Sequence, residues 1–388
     1  MFNHYQKEKI MKFFKYLFVL LSLILIVSCG GDEEEEDWGN DGDGNNNGNN
    51  EGNGGWISQE DTPGKVLKTR GFNNINALAV GLEDILYIGG TTLDTLYSDE
   101  LTEITKADAL LVAFDAKGKE LWGKQWNVVA GSSDNIRHIV TDGHNIYVSG
   151  GSHITFVMKF APDGTKIWEQ FPSESYTIAS LALDNKQNVY SSNDNEITKY
   201  SSDGKILQNY KVFDDSTITV LAVDSEENIY VGGQTSDSLF AENAGKSDVF
   251  LMKLAPDGTQ LWGKQWGSNE TDYIYSPVID DENNIYVCWY TSKKGPGGGV
   301  KFATDGKIIW EQEKVCTSMI INNNEIYAIN KLVEQGVIDK YNSDGKYIGS
   351  SRTYEKDSFR KIIGGSKGNI YVLTSKDAII RIPSSDIK

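Results

Sequence analysis

Apolar and polar positions recur along the chain in short blocks from about residue 64 onward. A hydrophobic run around a Tyr appears seven times, at Tyr87, Tyr147, Tyr190, Tyr230, Tyr286, Tyr327 and Tyr371, at intervals of 60, 43, 40, 56, 41 and 44 residues. Each is preceded by another apolar run, such as NALAV, ASLAL, TVLAV or SPVID, across an Asp/Asn/Gly turn. Each is followed by a third that carries Lys beside an aromatic or Leu, as in FVMKF, ITKY, FLMKL and VIDKY. Next come Asp-Gly pairs at Asp163, Asp203, Asp257, Asp305 and Asp344, with 115–118 as a variant. A fourth run then follows: LWGKQW at Trp122 and Trp262, IWEQF at Trp168 and IIWEQ at Trp310. Asp-Gly between alternating runs is a hairpin signal, because Gly tolerates the positive φ of the turn.

Four antiparallel strands per repeat of roughly 40–45 residues, several times over, predict a β-propeller. The last repeat has three strands and stops near Pro383, while the body opens on an orphan strand, GKVLKTRGF from Gly64. If the orphan completes the last blade, the fold is all-β with seven four-stranded antiparallel blades, the last closed by the N-terminal strand. An open solenoid would leave both ends unpaired.

The unit SDVFLMKLAPDGTQLWGKQWGSNETDYIYSPVIDDENNIYVCWYT, residues 247–291, resembles the bacterial β-propeller repeat (SBBP-type) family of cell-envelope proteins. The resemblance runs from about Gly64 to Ile382 and is weakest in the third and sixth repeats. It implies a propeller and an envelope location, and no single activity.

Charge divides the chain into three parts. Residues 1–28 carry Lys7, Lys9, Lys12 and Lys15 against Glu8, then an apolar run from Tyr16 to Val27. Twelve residues at 1.5 Å rise are too few to span a hydrocarbon core of about 30 Å, so the segment reads as a secretory signal. Ile26-Val27-Ser28-Cys29 resembles a lipobox, which makes Cys29 the expected lipidation site and residues 1–28 a lipoprotein signal peptide; Met11 is an alternative start. Residues 29–55 hold nine acids, no base and little apolar material, so they read as a disordered tether. An acidic run just past the lipidated Cys also resembles the surface-export signal of Bacteroidetes-type lipoproteins. Residues 56–388 form the propeller. The formal net charge of −18 argues against a nucleic-acid partner, which needs a basic patch.

With the four strands of each blade lettered a to d from the axis outward, the a–b and c–d turns share one face and the b–c and d–a loops the other. Length varies only in the second set, so ligand-binding residues are expected there. The long b–c loops of blades 1 and 4 share a pattern, Gly89-Gly90-x-Thr92-x-Asp94-x-Leu96-Tyr97 against Gly232-Gly233-x-Thr235-x-Asp237-x-Leu239-Phe240. Asp94, Tyr97, Asp237 and Phe240 are candidates, although these loop tips also have a plain role folding back on the blades. Trp289 and Tyr290, followed by Lys293 and Lys294, and Asp134 and Asp272 in the d–a loops complete the candidate face. Trp122, Trp168, Trp262 and Trp310 read as inter-blade packing. The histidines His138, His144 and His153 spread over both faces of blade 2, so no metal or cofactor site is expected. Cys288 and Cys316 fall on neighbouring blades; an oxidising compartment permits pairing, and small buried thiols are the favoured reading.

The functional expectation is a lipid-anchored outer-membrane protein, facing the surface or the periplasm. It acts as a non-catalytic scaffold that binds a protein or glycan through the b–c/d–a face, as a monomer or a subunit of an envelope complex. The alternatives are a polysaccharide hydrolase or lyase using carboxylates at the propeller mouth, and an accessory subunit of an outer-membrane assembly or transport complex.

Overall fold

The computed structural model describes residues 56–388 except 59–64, 68, 70, 98–105, 129–131, 153, 173–179, 194, 215, 293–296, 315, 331–334 and 355–356. Cys29, the signal segment and the acidic tether lie outside the described residues, as do His153, Lys293 and Lys294. Seven antiparallel sheets follow one another along the chain, each ordered a-b-c-d. Blade 1 consists of Asn74–Val80, Leu86–Thr92, Asp108–Phe114 and Glu120–Trp126. Blades 2 to 6 occupy 136–170, 180–211, 216–266, 272–312 and 316–350. The helical pieces among the described residues are three-residue 3-10 turns at Leu82–Asp84, Ser366–Gly368 and Ser384–Asp386.

Blade 7 draws on both ends of the body. Strands Phe359–Gly364, Asn369–Thr374 and Ile379–Pro383 are completed by Lys65–Leu67, with Lys65 opposite Arg381 and Leu67 opposite Ile379. The expected closure is therefore present. A further strand, Trp56–Ser58, pairs outside Lys65–Leu67 and makes this sheet five-stranded. Polar contacts reinforce the seam with blade 1: Arg381 donates to the Ala116 carbonyl at 2.7 Å, and Asn369 Nδ2 donates to Asp84 at 2.9 Å.

Tyr87, Tyr147, Tyr190, Tyr230, Tyr327 and Tyr371, the recurrent strand-b tyrosines, are fully buried between blades. The strand-d tryptophans dock differently from plain core side chains. They are half-buried, and each indole N–H donates to a carbonyl in the c–d turn of the next blade. The pairs are Trp122 to Pro162 at 2.8 Å, Trp168 to Ser202 at 3.1 Å, Trp262 to Thr304 at 3.0 Å and Trp310 to Ser343 at 3.1 Å. Blade 3 lacks this Trp; Tyr210 takes over, donating to Pro256 at 2.9 Å.

Most of the innermost strands carry a bulge, and side chains there tie one blade to the next. Asn76 donates to Asn135 at 2.7 Å, Ser276 to the Met319 carbonyl at 3.1 Å, and Ser318 accepts from Ile362 N at 3.2 Å. The Arg360 guanidinium donates to the Ile75 carbonyl, carrying this girdle across the seam between blades 7 and 1. Cys288 and Cys316 correct the thiol expectation: they form a disulfide joining strand b of blade 5 (Ile285–Thr291) to strand a of blade 6 (Cys316–Asn322). Neighbouring blades bring their Cα atoms to 5.4 Å, within bridging range, which spacing along the chain does not reveal.

Candidate functional site

Where the b–c loops of blades 1 and 4 leave strand b, they are held down on their own blades. Gln125 of LWGKQW accepts from Leu96 N at 2.9 Å and Tyr97 N at 3.3 Å, and donates to Asp108 at 2.8 Å. Blade 4 repeats the clamp, with Gln265 accepting from Leu239 N at 2.8 Å and Phe240 N at 3.1 Å and donating to Asp248 at 3.1 Å. Gly123 and Gly263 make room for the loop tips: a Cβ there would fall 2.3 Å from the Tyr97 ring and 2.1 Å from the Phe240 ring. Tyr97 also donates to Glu120 at 2.6 Å. Both aromatic tips thus cover strand d, while the Asp94 and Asp237 carbonyls accept from the clamping glutamines at 3.0 and 2.9 Å.

The other candidates separate by depth. Asp134 is buried and accepts from Val128 N at 2.6 Å, a contact between the described ends of its d–a loop. Asp272 opens strand a of blade 5 (Asp272–Ile279) instead of lying in the preceding loop. It is fully buried, accepting from Ser268 N at 2.7 Å and from Thr291 at 2.5 Å. Trp289 is also buried, edge-on to Trp266 at 6.4 Å, with its indole N–H lacking an acceptor. Strand pleating explains the split between neighbours, since successive side chains point to opposite faces.

Tyr290 is half-buried and sits in an aromatic stack that the linear sequence does not announce. Its ring lies 5.3 Å from Tyr273 and 5.5 Å from Tyr275, with interplanar angles of 27° and 4°. Burial first, then the neighbouring Tyr290 hydroxyl, pushes the Tyr275 phenol well above its ordinary pKa. Strand c at this level is Gly297-Gly298-Gly299, so no bulky side chain from that strand covers the stack. Pairing of Tyr273 with Tyr290 is the signal that would have found it, and that needs the strand register.

The opposite face is built from recurring acid–Tyr–Lys triads. In blade 4, Lys253 pairs with Asp224 at 3.0 Å, both nearly inaccessible, and its ammonium stands 4.9 Å from the Tyr230 ring. In blade 5, Lys301 pairs with Asp280 at 3.1 Å while Tyr286 donates to the same carboxylate at 3.0 Å. Burial works to raise the Asp280 pKa, but hydrogen bonds from Asn284, Lys301 and Tyr286 outweigh it and the net shift is downward. These groups are locked in structural pairs.

A narrow cleft between blades 5 and 6, lined by Gly299, Trp310, Met319, Ala328, Asp339 and Tyr341, has room for about one water-sized body. It is a packing gap left where Gly299 supplies no side chain. Among the described residues no group of three His, Cys, Asp or Glu is placed to hold a metal ion. His138 lies on strand a of blade 2 and His144 in the exposed a–b turn.

A family model described as outer membrane protein assembly factor BamB matches residues 107–292, from strand c of blade 1 to strand b of blade 5. No curated protein matches the chain. Among solved structures, a chain of the mitotic checkpoint complex aligns with TM-score 0.62 and 12% identity, over 84% of this chain and 97% of that one. Streptogramin B lyase aligns with TM-score 0.56 and 12% identity, over 81% and 94%. The Pan2 WD40 domain of Neurospora crassa gives TM-score 0.56 and 12% identity, over 80% and 88%. At such identities the likeness is one of fold, and this fold hosts unrelated functions.

Proposed function

We propose that this chain is a lipid-anchored envelope protein whose propeller serves as a non-catalytic scaffold subunit in protein assembly at the outer membrane. The observation that carries the reading is the match of residues 107–292 to the outer-membrane assembly factor model. The molecule is suited to the role. Its blades are locked by tryptophan docking, and the described starts of the b–c loops of blades 1 and 4 are clamped, so these parts of the face cost little entropy to bind. In this reading residues 1–28 are the signal, Cys29 carries the lipid, residues 29–55 give reach, and residues 56–388 present Asp94, Asp237, Tyr290 and their neighbours to a protein partner.

Two measurements on the full chain test this. Fractionation of a Cys29→Ala variant should move the protein from membranes to the soluble fraction; retention in the membrane sinks the anchor. Affinity purification from outer membranes should enrich an outer-membrane assembly complex. Binding to glycans on an array without any protein partner overturns the assembly reading.

A further inference from the structure

Strand a is the innermost of each blade, with neighbouring blades on both faces and its free edge turned to the axis. A side chain exposed within such a strand therefore opens on the axial channel. Two of the seven a strands carry basic residues there: Ile136–Thr141 with Arg137 and His138, and Phe359–Gly364 with Arg360 and Lys361. Register makes them equivalent. Arg137 falls at the bulge between the Ile136–Gly150 and His138–Ser149 pairs, and Arg360 at the bulge between Phe359–Thr374 and Lys361–Leu373. Arg137 and Arg360 lie at one depth on blades 2 and 7, with only blade 1 between, and Lys361 follows one residue further along its strand.

Acidic compensation is sparse at this depth. The single acid on any described a strand is Asp272, which is fully buried and hydrogen-bonded; Asp134 and Asp357, two residues before the a strands of blades 2 and 7, accept hydrogen bonds from Val128 N and Lys376 N. Asp377 from the b–c loop of blade 7 engages Arg360, which also donates to Ile75 O. Arg137 is exposed and has no hydrogen bond or ion pair with any described residue, and Lys361, half-buried, has none either. Burial lowers the Lys361 pKa, and an anion bound beside it would favour the charged form again. In a chain of net charge −18 this is a local reversal of sign. A confined field of one sign concentrates the opposite ion.

We propose that the axial mouth spanning blades 7, 1 and 2 binds a small oxyanion, a carboxylate or a phosphate, through Arg137 and Lys361. The guanidinium supplies a planar fork that two oxygens of either group can meet, and the ammonium supplies a second, point charge. The site goes beyond the scaffold reading and does not depend on it.

Calorimetric titration of the full chain in low-salt, phosphate-free buffer tests it, with sodium phosphate, sodium glucuronate and neutral glucose as probes. Saturable binding of phosphate or glucuronate that weakens with added salt, and none of glucose, is expected; the tighter of the two anions identifies the source. Arg137→Gln and Lys361→Met should each weaken binding about tenfold or more, with Arg137→Lys retaining part of the affinity. If Lys361→Met fails to fold, Arg137→Gln decides alone, since that side chain is exposed. Absence of saturation by either anion overturns the proposal, as does wild-type affinity in an Arg137→Gln variant that melts normally.

Discussion

The indole of Trp168 lies flat against Gly204 of the following blade, so close that a Cβ at residue 204 would stand 2.8 Å from ring atom Cδ2. The same contact recurs between Trp122 and Gly164, Trp262 and Gly306, and Trp310 and Gly345. The glycine of each Asp-Gly turn thus answers two demands at once, a φ near +80° and a surface on which the previous blade's ring can lie. Gly204→Ala should cost about 1–2 kcal/mol from the left-handed backbone alone, and more from displacing the indole. Thermal melting with tryptophan fluorescence as the signal checks both parts. A melting point unchanged from wild type would show that the docking contributes nothing to stability.

The glutamine clamp predicts a local effect separable from global stability. Gln265→Leu removes the acceptor for Leu239 N and Phe240 N together with a donor to Asp248. Amide exchange across 235–247 should accelerate while the blade strands stay protected, because loops open with less free energy than the core. Uniform exchange across blade 4 would mean that the loop is part of the core.

Closure of the ring predicts a sharp difference between two truncations. Removing residues 1–63 deletes the fifth strand Trp56–Ser58 but keeps Lys65–Leu67, and should lower the melting temperature by only a few degrees. Removing residues 1–72 takes away strand d of blade 7, uncovering the buried Ile379, Ile380 and Ile382 edge, and should lower it far more. Equal melting points would contradict the pairing of Lys65–Leu67 with the last strand.

Stability should hold a plateau near neutrality and fall on both sides of it. Asp280 has a depressed pKa in the fold, so its contribution is present above the unfolded value of 3.8 and is lost as pH drops through the folded one. Buried phenols act at the other end. Burial, with Asp84 adding to it, pushes Tyr371 up to about 12, and burial drives Tyr147, Tyr190 and Tyr230 higher still. Their contribution is complete below the unfolded value of 10.0 and declines as pH rises beyond it. Denaturant midpoints measured from pH 3 to 11 should show both flanks; a flat profile above pH 10 would contradict the burial of these rings.

The seven-fold architecture was legible because the tyrosines, the Asp-Gly turns and the tryptophans recur in chain order. The role of Gly123 and Gly263 was also within reach, since only the two LWGKQW blades carry long b–c loops with an aromatic tip, yet the two signals stand well apart in the chain. Depth was not legible: Trp289 and Tyr290 are neighbours with opposite fates, decided by pleating. The Tyr273–Tyr290–Tyr275 stack and the Cys288–Cys316 bridge depend on register between strands and between blades, where a single bulge changes which side chains meet.

Blade 7 imposes an order of events on the making of the molecule. Lys65–Leu67 are among the earliest body residues synthesised, yet the strand they complete, Ile379–Pro383, comes from the far end of the chain. A nascent or exported chain therefore carries an unmatched strand until residues 379–383 arrive, and one cut short before them never finds the match. Blades 1 to 6 can assemble locally, but the ring locks only once Ile379–Pro383 has joined Lys65–Leu67. Arrival of that strand and acquisition of the stable form become one event, which lets proteolysis of open rings serve as a check on copies that lack it.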